Sequence, residues 1–223
     1  MEKTAAAERN GLILIQALVV LLVISSLVSA AAMTVRISYE TDKHFSKNAA
    51  LRRALEAGMA RARSRSSASP LLWLHGASAG ELLGAAPVVE RLRGDRELDL
   101  LVTHASPSGR DALSGLRPDG ADFLPLDTAR DCRRALRALE PSALVFARGD
   151  LWPNLTRAAA GIGVPLGMVN ATVRPGSTRL RPVARGLLRP GYRRLRRVGA
   201  ATGEDAGRLR SLGVREEAVA GTG

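Results

Sequence analysis

The sequence predicts an α/β protein, a Rossmann-like parallel sheet preceded by a transmembrane helix. Three features point there. From Pro70 onward, short apolar runs alternate with stretches of helical periodicity, as βαβ units require. From Gly11 to Val35 there is no charged residue, and at about 1.5 Å rise per residue a helix of that length crosses a hydrocarbon core roughly 30 Å thick. Finally, the run Trp73-Leu-His-Gly-Ala-Ser-Ala-Gly-Glu81 passes from apolar residues through a small-residue turn to a carboxylate that opens a helical pattern. Open α/β sheets present reactive groups in this way, at the carboxyl ends of strands.

Residues 1–10 form a short polar start, and 11–35 the apolar span. Val28-Ser-Ala30 also fits a small-x-small cleavage pattern, so a signal peptide competes with an uncleaved anchor. The length of the run, and the position of most basic residues after it, favour the anchor. Only Lys3 and Arg9 precede the span, whereas Arg36, Lys43, Lys47, Arg52, Arg53, Arg61, Arg63 and Arg65 follow it. By the positive-inside rule the protein is a single-pass inner (plasma) membrane protein with its globular part in the cytoplasm. Residues 36–69 read as a basic helix over 48–63 and a polar linker, Ser64-Arg-Ser-Ser-Ala-Ser-Pro70.

Within 70–223 the expected strands are Leu71–His75, Leu98–Thr103, Asp122–Pro125, Ala143–Ala147, Val164–Val169 and Val198–Ala201. The expected helices are Gly80–Arg93, Ser108–Leu116, Ala129–Leu139, Leu151–Ala160, Ser177–Leu188 and Asp205–Leu212. Cys132, Ala135, Leu136 and Leu139 make one apolar stripe on the third of these helices.

Composition narrows the function. Of 223 residues, 46% are apolar, enough for a real core, and the net charge of +12 is carried almost wholly by arginine, which suits an anionic partner. A single cysteine, Cys132, excludes an intramolecular disulfide. The three histidines lack metal-ligand spacing, so no metal site is expected. No helix-turn-helix, zinc or aromatic-stacking pattern accompanies the charge, which argues against nucleic acid. Nine arginines and no acid lie in Arg174–Arg197, interleaved with Leu180, Val183, Ala184, Leu187 and Leu188. This is a basic amphipathic surface suited to an anionic membrane face, or else a solvated one.

The stretches Trp73–Glu81 and Gly149-Asp-Leu-Trp-Pro-Asn154 resemble the acceptor-side half of the Kdo transferases, which transfer 3-deoxy-manno-octulosonic acid onto lipid A precursors. The resemblance implies the N-terminal half of a GT-B glycosyltransferase in lipopolysaccharide core biosynthesis. It also implies CMP-Kdo as donor, a lipid A precursor as acceptor, and inverting transfer without metal or further cofactor. The glutamate that corresponds to Glu81 is then the base that deprotonates the acceptor hydroxyl. Read without the family, Glu81 complements a helix dipole. By the same match His75 lines the site; alone, such a histidine is a hydrogen-bonded structural residue. Ser78 reads as a turn or N-cap residue, and Gly80 belongs to a turn that substrate can approach closely.

Val102-Thr-His-Ala-Ser-Pro-Ser-Gly109 resembles the family's next strand and turn, making Ser106 a site wall, while a plain N-cap with Pro107 in the first turn explains the same residues. Where the family usually has Glu-x-Glu-Leu-Trp-Pro-Asn, this chain has Arg148 and Asp150 in place of the two acids. Arg148 therefore either pairs with Glu81 or binds a substrate phosphate, and its reversed charge suggests a divergent branch or an altered acceptor. Val169-Asn-Ala171 matches as well, with Asn170 as acceptor ligand or turn former. The arginine that commonly follows is Thr172 here, with Arg174 two residues on.

The match runs from about Leu71 to Gly223 and ends near the family's interdomain linker. The donor-binding half is thus expected to be missing or to come from a separate chain, and the chain alone to be catalytically incompetent. Two alternatives remain: a non-catalytic membrane-bound lipid-binding or scaffold protein, and a pilin-like fusion. The latter rests on Arg9-Asn-Gly-Leu-Ile-Leu-Ile-Gln-Ala-Leu-Val-Val20 and the helix over 48–63, which resemble type IV pilin and minor pseudopilin N-termini with processing at Gly11–Leu12.

Overall fold

The computed structural model describes residues 69–220 except Arg96 and Leu126, with the side chain of Asp95 also left aside. The predicted anchor over 11–35, the pilin-like start and the basic helix over 48–63 lie outside the described residues. Among the described residues, no helix is long and apolar enough to cross a membrane.

The chain alternates strand and helix: β1 (Leu71–Gly76), α1 (Ala79–Asp95), β2 (Asp99–His104), a 3-10 segment (Pro107–Ala112) leading into α2 (Leu113–Leu116), and β3 (Gly120–Phe123). After these come α3 (Ala129–Leu139), β4 (Ala143–Ala147), α4 (Pro153–Gly161), β5 (Leu166–Ala171), a 3-10 turn (Thr178–Leu180) and α5 (Pro182–Tyr192). The domain ends with β6 (Leu195–Ala200), α6 (Gly203–Leu212), a 3-10 turn (Glu216–Ala218) and β7 (Val219–Ala220). The strands form one sheet in the order β3-β2-β1-β4-β5-β6-β7, and every pairing is parallel.

Such a sheet must be covered on both faces, and the alternation of side chains along each strand supplies two cores. Trp73, Leu101, Leu144 and Phe146 point to one core with Cys132 and Leu136 of α3 and Leu155 of α4. Leu74, Leu100, Val102 and Ala147 point to the other, against Leu82, Ala85 and Val89 of α1. The α3 stripe predicted from spacing is the buried one: Cys132 and Leu136 are fully inside, with Ala135 and Leu139 packed beside them.

The differences from the expected elements are local. Pro107 sits at the start of the segment predicted as Ser108–Leu116, whose first turns are 3-10. Pro182 starts α5 afresh after the 3-10 turn, splitting the predicted Ser177–Leu188 helix. β7 is two residues long, too short to leave a periodic signal.

Asp205 ties the far edge of the domain together. Its Oδ1 accepts the Val173 backbone N–H at 2.8 Å, and its Oδ2 accepts the Thr202 hydroxyl at 2.8 Å. Arg208 lies 3.3 Å from Oδ1. Burial pushes the Asp205 pKa up, but the Val173 N–H, the Thr202 hydroxyl and Arg208 outweigh it and leave the pKa below the usual carboxylate value. A folded pKa below the unfolded one contributes stability that is full above the unfolded value, near 3.9, and is lost as pH falls through the folded value. Asp205→Asn is therefore expected to cost about 1–3 kcal/mol at neutral pH. In paired urea melts the gap from wild type should narrow between about pH 5 and pH 2; a constant gap would refute the linkage.

Candidate functional site

In this strand order the chain turns from β1 toward one side of the sheet and from β4 toward the other. The crevice beyond their carboxyl ends is the switch point where open α/β sheets bind ligands. Here the loops after β1, β4 and β5 enclose an open cleft of about 620 Å³. It is lined by Glu81, by Arg148, Gly149 and Asp150, by Thr172 and Arg174, and by Gly176, Ser177, Thr178 and Arg179.

Glu81 stands in the first turn of α1. Its Oε2 accepts the Ala77 backbone N–H at 2.7 Å, which fixes the carboxylate against the preceding turn. Oε1 has no partner among the described residues. Burial raises the Glu81 pKa, and nearby Asp150 adds to the rise; the Ala77 N–H, Arg148 and Arg179 pull the other way without cancelling it. The result is a carboxylate more basic than usual, held by one oxygen with the other free. That is what proton abstraction from an alcohol asks for.

Arg148 follows β4 in the left-handed region, with φ +74°. Its N–H continues the ladder to Val169 O at 2.8 Å, and its Nε–H donates to Thr172 Oγ1 at 3.3 Å. It forms no ion pair with Glu81, so of the two roles open to it from the sequence, the pairing is not made. Asp150 pairs instead with Arg179, at 3.3 Å. Arg179 Nη1 also donates to the Gly149 carbonyl at 2.5 Å, and the buried Tyr192 hydroxyl donates to the same oxygen at 2.9 Å. A Cβ on Gly149 would lie 2.9 Å from both Arg179 Nη1 and Thr172 O, so only glycine lets the Arg179 guanidinium reach this loop.

Of the other residues singled out from sequence, Arg174 lines the cleft and five do not. His75 shares the face of Trp73, two residues before it, and is 2% exposed. Trp73 Nε1 donates to Thr103 Oγ1 at 2.8 Å, and Thr103 Oγ1 lies 3.0 Å from His75 Nδ1. An indole only donates, so Thr103 Oγ1 accepts from Trp73 and shares a second hydrogen bond with His75 Nδ1, while His75 Nε2 is buried with no partner among the described residues. Burial lowers the His75 pKa to about 4, with His104 a smaller contribution, so the ring is neutral. It meets Trp152 edge-on at 5.5 Å. His75 thus supports the Trp152 loop from below rather than facing the cleft.

Ser78 accepts the Leu82 N–H through its carbonyl and begins α1. Gly80 is exposed in the first turn of α1, with open space around it. Ser106 belongs to the β2 side, where its N–H reaches Ala77 O at 2.9 Å and its hydroxyl bonds Ser108 at 2.6 Å. Asn170 has φ +50° and packs on Gly84, whose Cβ, were there one, would lie 2.3 Å from Asn170 Nδ2. It locks β5 to α1.

Sequence reasoning missed three supports. Arg179 and Tyr192, read only as parts of a basic segment, hold the Gly149 carbonyl. Asp127, read as loop, accepts the N–H groups of Asn154 at 3.2 Å and Leu155 at 2.8 Å, and so caps α4. Asn154 Nδ2 returns a bond to the Asp127 carbonyl at 2.5 Å, which gives the asparagine of the Trp-Pro-Asn motif a structural task. Among the described residues no group of three or more His, Cys, Asp or Glu side chains is gathered to hold a metal ion.

The model of the family described as 3-deoxy-D-manno-octulosonic-acid transferase (kdotransferase) matches residues 51–223. The 3-deoxy-D-manno-octulosonic acid transferase of Bordetella pertussis is 33% identical over 174 residues, covering 74% of this chain and 40% of its own. A probable mitochondrial 3-deoxy-D-manno-octulosonic acid transferase of Arabidopsis thaliana is 36% identical over 104 residues, 45% of this chain and 23% of its own. The chain thus spans well under half the length of these curated relatives. Among solved structures, the UDP-GlcNAc 2-epimerase of Neisseria meningitidis bound to UDP-GlcNAc superposes with a TM-score of 0.51 at 17% identity, covering 67% of this chain and 45% of that one. A likeness at that identity speaks for the fold alone.

Proposed function

The chain belongs to the 3-deoxy-D-manno-octulosonic-acid transferase family, and we propose that it forms the acceptor-side half of a GT-B enzyme that moves Kdo from CMP-Kdo to a lipid A precursor. The observation behind this reading is Glu81, half-buried at the switch-point cleft with one carboxylate oxygen tied to Ala77 N–H and the other free. In the reaction Glu81 takes the proton of an acceptor hydroxyl as that oxygen attacks the anomeric carbon of the donor sugar. The bond from that carbon to the CMP phosphate breaks, and CMP leaves with the electron pair. Attack from the face opposite CMP inverts the configuration. The Asp150–Arg179 pair and the Gly149 carbonyl keep the opposite wall in place. The test is transfer of labelled Kdo to a lipid A precursor by this chain joined to the remaining, donor-binding part of the Bordetella pertussis relative. Labelled glycolipid is expected; none, from a folded fusion, would refute the reading.

Membrane attachment belongs to the same proposal. The uncharged span 11–35 and the basic residues after it support an inner-membrane anchor with the catalytic part in the cytoplasm. A second support is α5, where Val183 and Leu187, one turn apart, are each 78% exposed beside the exposed Arg181, Arg185 and Arg189. Apolar side chains standing out of a basic helix suit an anionic lipid surface. A chain beginning at Ser69 is expected to float with vesicles rich in anionic lipid, less so as salt is raised, and several-fold less with Val183→Ser and Leu187→Ser together. Equal binding to neutral vesicles would count against it.

A second reading, a lipid-binding or scaffold protein without turnover, is favoured by one observation. Arg148 holds the place of an acid usual in the family, and it faces the cleft. Glycolipid binding by the fusion with no transfer would select it.

A further inference from the structure

We propose that Arg179 is a positioning residue of the transfer reaction: it pins Gly149 and Asp150 to one wall of the cleft, so that Asp150 is a partnered anion and Glu81 the carboxylate free to take a proton. The proposal rests on the reading of Glu81 as base and adds what keeps the two acids of the cleft in different roles.

Glu81 and Asp150 line the same cleft. Two carboxylates that share a cavity oppose each other's ionisation, and a division of roles needs their surroundings to differ. Here they do. Glu81 is half-buried, with the Ala77 N–H on one oxygen. The Asp150 side chain is 64% exposed and lies 3.3 Å from Arg179 Nη1. The charged groups that face Glu81 across the cleft are Arg148 and Asp150 after β4, and Arg174 and Arg179 after β5. Burial is the main cause of the raised Glu81 pKa; Asp150 adds to it, while the Ala77 N–H, Arg148 and Arg179 work against it. The state of the Asp150–Arg179 pair therefore reaches the base through the field across the cavity.

An ion pair between two free surface side chains contributes little, because both must be ordered to make it. Arg179 differs, since other partners order it first. Its Nε–H donates to Ser177 Oγ at 3.3 Å, and its Nη1 to the Gly149 carbonyl. The Tyr192 hydroxyl bonds that same carbonyl at 2.9 Å and lies 3.4 Å from Nη1. Burial raises the Tyr192 pKa, so the phenol stays a neutral donor while the carboxylates titrate. Gly149 leaves the guanidinium its place, which a Cβ would contest. The cation is thus set before Asp150 meets it, and Asp150 follows Gly149 directly in the chain.

The experiment titrates isotope-labelled glutamate carboxyls by NMR in the full chain in zwitterionic detergent, the Glu81 signal being the one that Glu81→Gln removes. Arg179→Gln removes the cation and leaves Asp150 unpaired, so Glu81 is expected to titrate at higher pH. Asp150→Asn removes the anion, and Glu81 is expected to titrate at lower pH. The double variant should fall between the two, and Arg179→Lys, which keeps the charge, close to wild type. Both shifts should shrink as salt is raised, because Asp150 is exposed. In the fusion with the donor-binding part of the Bordetella pertussis relative, the acid limb of kcat/KM for Kdo transfer should move the same way in each variant. A residue that merely held the loop would not move one titration in two opposite directions. Shifts in one direction for both single variants, or none, overturn the proposal. If Arg179→Gln does not fold, Asp150→Asn decides, and an unmoved or raised Glu81 titration overturns it. Shifted titrations with an unmoved acid limb in an active fusion overturn the reading of Glu81 as base, and the proposal with it; unmoved titrations in an active fusion overturn the proposal alone.

Discussion

In the fusion with the donor-binding part of the relative, replacing Glu81 with glutamine is expected to lower Kdo transfer by a factor on the order of 10²–10⁴, the usual worth of a positioned general base. Glutamine keeps the shape and can still accept the Ala77 N–H, so the turn between β1 and α1 should hold. What is lost is the ability to take a proton. Two further readouts separate this from a structural effect. First, wild-type rate should rise with pH through the Glu81 pKa, which lies above the ordinary carboxylate value because the group is half-buried and near Asp150. Second, a carboxyl whose folded pKa exceeds its unfolded one binds more protons when folded in the window between them. Stability therefore declines as pH rises through that window, and the ionised group is a net cost above it. Glu81→Gln should then be no less stable than wild type at neutral pH while nearly inactive. Full activity in the variant, or inactivity that tracks a lost fold, would remove Glu81 from the role of base.

The parts of this site that the sequence announced are those whose signal is local. Six strands and the buried stripe of α3 follow from periodicity within a few residues, and Glu81 from a gapless run around a strand-to-helix turn. The parts it hid depend on residues brought together by crossovers. Gly149 O is held by Arg179, 30 residues on, and by Tyr192, 43 residues on. Asp127 caps a helix that begins 26 positions later. Nothing in a short window distinguishes such residues from a solvated arginine or a turn aspartate. His75 was more legible than the motif suggested. Period two along β1 puts it on the side of Trp73, and therefore in the core beneath Trp152 rather than in the cleft.

Trp73→Ala is expected to destabilise the domain by about 3–5 kcal/mol, a large part of the roughly 5–15 kcal/mol that holds a domain of this kind together. Trp73 has no exposed surface and heads the fully buried side chains of the core. It sits mid-strand in β1, which is paired with β2 on one side and β4 on the other, so the cavity would open at the centre of the sheet. The indole also does what no aliphatic group can. Its N–H donates to Thr103 Oγ1, which also bonds His75 Nδ1, and Trp152 packs against that imidazole. Trp73→Phe separates the two contributions: it keeps most of the volume, drops only the N–H, and should cost about 1–2 kcal/mol. Urea melts of the three proteins give the order wild type, Phe, Ala; an alanine variant within about 1 kcal/mol of wild type would contradict the packing described. The expected consequence for the cleft follows from position. β1 ends one residue before Ala77, and Ala77 N–H is what holds Glu81. A strand loosened at Trp73 therefore reaches the base through the backbone, and the phenylalanine variant, still folded, should lose activity by more than its stability alone would require.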